Sequence, residues 1–136
     1  VLIDDVAGLG SIEAYEGVFS YKQEVVLNRL STINFPRNRT KVVAGFIEDT
    51  VKTAKMPEAV CFAYIDFDFY EPIKVGLEFL DDVLTPGGYI VIDDYGYFSE
   101  GAQAAVDEFV ATHKESFRFE LPPKWARHFA ILQKYP

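Results

Sequence analysis

Four aspartates stand where two of the most apolar runs of this 136-residue chain come to an end. Asp66 and Asp68 follow Val60–Ile65, inside the stretch I-D-F-D-F-Y-E-P. Asp93 and Asp94 follow Tyr89–Ile92, inside G-G-Y-I-V-I-D-D-Y-G. A third run, Val1–Ile3, is followed directly by Asp4. Carboxylates gain nothing from burial, so their recurrence at the ends of hydrophobic segments asks for a reason. The plain one is that they cap helices and form turns after parallel strands. The chemical one is a divalent cation. If the two runs are neighbouring strands, they lie about 4.8 Å apart, and Asp66 and Asp93 or Asp94 converge on one point. Three crowded carboxylates repel, and one is protonated unless a cation intervenes. A hard ion such as Mg²⁺, with oxygen ligands at about 2.0–2.1 Å, removes that conflict. Asp68 projects to the same side as Asp66 if the chain stays extended, as a further carboxylate near the ion without ligating it.

The elements that must position these groups are legible as alternating patterns. Residues 1–3, 60–65 and 89–92 are short, uninterrupted apolar runs, as expected for strands covered on both faces of a mainly parallel sheet. A weaker run spans 41–46, and two more strands are expected near 117–120 and 128–133. Between them lie helical patterns. Ser20–Gln23 has the form of a capping box ahead of Val25, Val26 and Leu30. Pro72 suits a first helical turn, with Ile73, Leu77, Leu80 and Leu84 following at helical spacing. Ser99 is placed to cap a third helix whose inner face is Ala102, Val106, Phe109 and Val110. Strand and helix in alternation predict an α/β fold, a mostly parallel sheet with helices on both faces. In such sheets ligands bind beyond the carboxyl ends of the strands, which is where the aspartates sit.

Composition narrows the partners. A formal charge of −8 leaves no basic excess for nucleic acid or an anionic membrane surface. A single cysteine, Cys61, excludes an internal disulfide framework and fits a reducing, cytoplasmic setting. No apolar run approaches the roughly 20 residues that span a bilayer. Length predicts one domain. The chain begins inside an apolar run without methionine and reads as an excerpt of something longer. The remaining candidates have simpler explanations. His113 fits a helix C-terminus, His128 the start of a strand, and Cys61 a small buried hydrophobe. Gly8-Leu9-Gly10 is too short for a dinucleotide fingerprint, and Pro86-Gly87-Gly88 reads as a helix-to-strand turn. Trp125 lies in a loop between Lys124 and Arg127, in reach of a substrate.

With I-D-F-D-F-Y-E-P, T-P-G-G-Y-I-V-I-D-D-Y-G and A-A-V-D-E-F in place, the chain resembles the macrocin O-methyltransferase family of class I S-adenosylmethionine-dependent enzymes, which methylate sugar hydroxyls of natural products. The resemblance is close from about residue 41 to 110 and includes G-F-I-E-D-T at Gly45–Thr50 and the block from Asp4 to Leu9. It implies a Rossmann-like methyltransferase sheet, of which residues 1–136 form the C-terminal portion. It implies Mg²⁺ held by Asp66, Asp93 and Asp94, with Asp68 as general base. It further implies S-adenosylmethionine as cofactor, touched by Asp4 at the ribose and by Asp49 near the adenine. The acceptor would be a sugar or a similar diol of a natural product, and a homo-oligomer is compatible with the family. The family's glycine-rich loop and first strand are expected upstream of Val1, with that strand lying between residues 1–3 and 60–65. Two other readings stand beside this one. A phosphoacceptor receiver domain would explain Val1–Gly8 and Asp66, but not the second aspartate pair or the P-G-G turn. An α/β module that binds a partner without turnover would explain the fold alone.

Overall fold

The structure, a computed structural model, describes residues 22–97, 100–126 and 128–136. The expected strand at 1–3, Asp4, the Gly8-Leu9-Gly10 stretch and the two serines expected to cap helices, Ser20 and Ser99, lie outside the described residues.

Two apolar runs rich in β-branched and aromatic residues form neighbouring strands, β1 (Val60–Ile65) and β2 (Leu84–Ile92). They pair in parallel, with Ile65 opposite Ile92. The helix α3 (Tyr70–Val83) joins them as a crossover. Pro72 falls in its first turn, where a missing N–H costs nothing. Ile73, Leu77 and Leu80 are buried along one side of α3, as their spacing predicts. After β2 comes α4 (Glu100–Thr112), which buries Ala102, Ala105, Val106 and Phe109. The chain closes with β3 (Phe117–Glu120) and β4 (Ala130–Lys134).

The sheet order is β1-β2-β4-β3, and the sheet is mixed rather than mostly parallel. β4 runs antiparallel to both of its neighbours, so β1, β2 and β3 share one direction and β4 alone is reversed. The reason is the connection. The described residues of 121–129 hold a short 3₁₀ turn, Lys124–Ala126, and a parallel return needs a crossover of about a dozen residues or more.

Among the described residues, helices cover one face of this sheet. Paired positions share a face. Ala63, Ile90 and Leu132 line one side together with Ile65, Ile92 and Ala130. That side packs against α3 and α4 and makes the core, in which Ile73, Leu77, Ile90, Ile92, Val106 and Leu132 are fully enclosed. Each such side chain contributes roughly 1.5–3 kcal/mol by leaving water. On the opposite side Phe62, Tyr64 and Tyr89 remain exposed among the described residues. Cys61 is exposed as well, not the buried hydrophobe its mid-strand position suggests.

Three smaller expectations also change. The run 41–46 is not a strand. The helix α1 (Gln23–Thr32) starts from Lys22 without a side-chain cap, and none of its residues is buried. The P-G-G segment lies within β2, not in a turn before it. Pairing jumps from Val60 opposite Leu84 to Phe62 opposite Tyr89, so Thr85–Gly88 form a bulge. The Thr85 hydroxyl donates to the Val60 carbonyl at 3.1 Å and pins it. Gly87 has φ +77°, and a Cβ on Gly88 would stand 2.8 Å from the Thr85 carbonyl and 3.1 Å from that of Cys61. Backbone passes too close for any side chain. The bulge sets the register with which β2 reaches its carboxyl end.

Candidate active site

The adjacency expected of the two aspartate-bearing strands is what the fold supplies. The pairing continues one step past the strands, with the Asp93 N–H donating to the Ile65 carbonyl at 2.9 Å. Carboxylate oxygens of Asp66, Asp68 and Asp94 all lie within 4.8 Å of one another at this end of the sheet.

Asp68 does not get there by strand alternation. The Phe69 N–H donates back to the Phe67 carbonyl at 2.7 Å, closing a tight three-residue γ-turn around Asp68, whose φ is +63°. Asp94 is also left-handed, with φ +55°. Aspartate tolerates this region better than most residues, yet each such position carries strain of roughly 1–3 kcal/mol. Asp68 and Asp94 both belong to the acidic group; Asn34, which also has positive φ, does not.

The electrostatics follow from this crowding. Burial pushes the Asp68 carboxyl up to about 6, helped by the charges of Asp66 and Asp94 and a side-chain hydrogen bond with Asp94. Asp66 is raised by burial and then by Asp93. Asp94 is raised by burial first and by Asp93 next, while the hydrogen bond from Asp68 and the proximity of His128 work the other way. Two carboxyl groups sharing a proton is how such a site relieves repulsion without a cation. The donor set, three oxygen-only ligands in mutual reach, suits a hard divalent ion.

Asp93, expected beside Asp66 and Asp94, stands apart from this group of three. Its Oδ1 accepts the Asp94 N–H at 2.9 Å, and its Oδ2 accepts the Tyr64 hydroxyl. Asp49 is exposed in the first turn of α2 (Ile47–Thr53), on a separate part of the chain, as an acceptor open to an amino or hydroxyl donor.

Around the carboxylates lie contacts that sequence reasoning did not supply. Tyr64 reaches Asp93 from the penultimate position of β1. Tyr95 donates its hydroxyl to Asp107 at 2.6 Å, and its N–H to the His128 carbonyl at 2.9 Å, tying the aspartate turn to α4 and to the loop before β4. The His128 ring stacks on Tyr97 with centroids 4.4 Å apart, so it borders the site rather than merely opening a strand. Trp125 is 85% exposed in the same loop. The residue types carried no signal of these partners, because each pairing joins segments far apart in the chain. His113 lies elsewhere. It directly follows α4, stacks on Phe109 with centroids 4.1 Å apart, and faces Asp81 at 3.5 Å.

A family model for macrocin O-methyltransferases (TylF) matches residues 5–118. The chain belongs to this family. Its fold is that of solved methyltransferases. The O-methyltransferase NovP superposes with a TM-score of 0.79 at 22% identity, covering 98% of this chain and 56% of that one. Apo CalS11, described as a TDP-rhamnose 3′-O-methyltransferase of calicheamicin biosynthesis, superposes with a TM-score of 0.63 at 24% identity, covering 87% and 55%. The chain thus spans a little over half the length of these structures. No curated protein sequence matches it. No helix among the described residues is long and apolar enough to cross a membrane.

Proposed function

We propose that residues 1–136 are the C-terminal portion of a methyltransferase domain that moves a methyl group from S-adenosylmethionine to a hydroxyl of a sugar or similar diol in a natural product, with Mg²⁺, in the cytoplasm. The observation that carries this reading is the meeting of Asp66, Asp68 and Asp94 at the ends of two adjacent parallel strands, in a chain of the macrocin O-methyltransferase family.

The carboxylates in mutual reach suit the divalent ion that the family implies. We take Asp66 and Asp94 from that group as ligands together with Asp93, which stands outside it and would have to turn an oxygen toward the ion. When bound, Mg²⁺ supplies positive charge that lowers the pKa of an acceptor hydroxyl. Asp68 is the general base. Its raised pKa brings it toward the working pH, where a base both is largely ionised and retains proton affinity. It accepts the hydroxyl proton as the acceptor oxygen takes the methyl group. On the cofactor side, Asp49 would lie near the adenine and Asp4 at the ribose.

The test is metal dependence of the whole protein. Methyl transfer should stop in EDTA and return with Mg²⁺, and Asp94→Ala should abolish turnover while leaving S-adenosylmethionine affinity nearly unchanged. Full activity in chelator would show that the carboxylates only shape turns.

A further inference from the structure

Both oxygens of Asp93 are engaged, and one of the two donors is a side chain from the other strand. Tyr64 lies opposite Val91 in the parallel register. Asp93 follows Val91 by two positions and so projects to the same face, within reach of the phenol. The Tyr64 hydroxyl donates to Asp93 Oδ2. The ring itself is 51% exposed on the open face of the sheet and rests edge-on against Phe129, with centroids 6.3 Å apart. Packing alone would be served equally by phenylalanine. What the hydroxyl adds is a fixed orientation for one carboxylate, and through the Asp94 N–H on Asp93 Oδ1, for the turn that aims Asp94 at Asp66 and Asp68.

We propose that Tyr64 is a positioning residue, which holds Asp93 and the Asp93–Asp94 turn in the arrangement that receives a divalent cation. This rests on the metal-binding reading above. Outer-shell partners of metal-binding side chains act this way by orienting a ligand that would otherwise rotate, and their loss typically costs about 10–100-fold in metal affinity. A cross-strand brace with no part in cation binding would instead lower stability and leave affinity alone.

The experiment uses the whole protein and Mn²⁺ alone as probe, with free Mn²⁺ followed by electron paramagnetic resonance. Tyr64→Phe keeps the ring and its contact with Phe129. It should weaken Mn²⁺ binding about tenfold while the melting temperature stays close to that of the wild type. Adding Tyr64→Phe to Asp93→Ala should weaken binding no further than Asp93→Ala alone, because Tyr64 acts only through that carboxylate. This comparison decides the matter even if either single variant loses stability. Unchanged affinity in Tyr64→Phe, or losses that add in the double variant, would overturn the role of Tyr64 while leaving the metal site intact. A wild-type protein that binds no Mn²⁺ would overturn the metal reading itself, and this proposal with it.

Discussion

Replacing Asp68 with Asn should make the metal-free protein more stable and the enzyme far slower. In the folded state the Asp68 carboxyl titrates near 6, against an ordinary value of 3.8. A carboxyl whose folded pKa is raised holds its proton more tightly in the folded state. Stability is therefore full below about pH 4 and falls as pH rises from about 4 to 6, because the folded state must then carry a charge it disfavours. At neutral pH the gap corresponds to about 3 kcal/mol as a ceiling. Asp68 is only half-buried, and solvent screening brings the penalty to on the order of 1–2 kcal/mol. Asparagine removes that charge, can still donate to Asp94, and tolerates a φ of +63° at least as well as aspartate.

In EDTA at pH 7.5, Asp68→Asn should thus raise the unfolding free energy by about 1–2 kcal/mol, and at pH 4 it should change it little. Urea denaturation at the two pH values measures both. With Mg²⁺ and both substrates present, the same variant should lose about 10²–10⁴-fold in kcat, the usual contribution of a general base. Its residual rate should climb with pH as the acceptor ionises without help. A variant destabilised equally at pH 4 and 7.5 would refute the electrostatic account. One that keeps its turnover would refute the role of Asp68 as base.

Two further outcomes follow from the same geometry. Mg²⁺ should raise the melting temperature more at pH 7.5 than at pH 5, because the carboxyl groups of Asp66 and Asp94, both held above their ordinary range, must give up protons to bind it; equal shifts at both values in a thermal-unfolding assay would count against a shared site. Gly88→Ala should cost about 1–3 kcal/mol in urea denaturation, since its Cβ meets two backbone carbonyls that have no room to move, and it should also weaken Mn²⁺ binding by disturbing the register that brings Asp94 to Asp66.

What could be read from the chain was whatever depends on short range. The α3 stripe of Ile73, Leu77 and Leu80 is a matter of helical spacing, and those residues are enclosed as expected. The meeting of Asp66 and Asp94 needed only two apolar runs of strand length joined by one helix, which places their ends together in a parallel pair. What escaped depends on which elements meet across the chain. Phe62 and Tyr64 alternate with Ala63 and Ile65, but whether their face is covered is decided by other elements. The reversal of β4 was within reach, because residues 121–129 are too few for a crossover. The Asp93 contact was not, since nothing in the residue type of Tyr64 names its partner.

The simplest explanation of the aspartates, that they form turns, is half right, and its correct half sharpens the chemical reading. Asp68 and Asp94 do occupy turn positions, both with positive φ. Asparagine fits that backbone as well or better and brings no charge. A site needing only turns would gain from asparagine at either position, because each of these carboxyl groups is raised by burial and by its neighbours' charge. The chain instead carries the costlier residue at both, with Asp66 a third carboxylate in reach. Strained backbone and mutual repulsion in the same few residues are the mark of a site arranged for something it binds. The divalent cation proposed above would turn that repulsion into attraction.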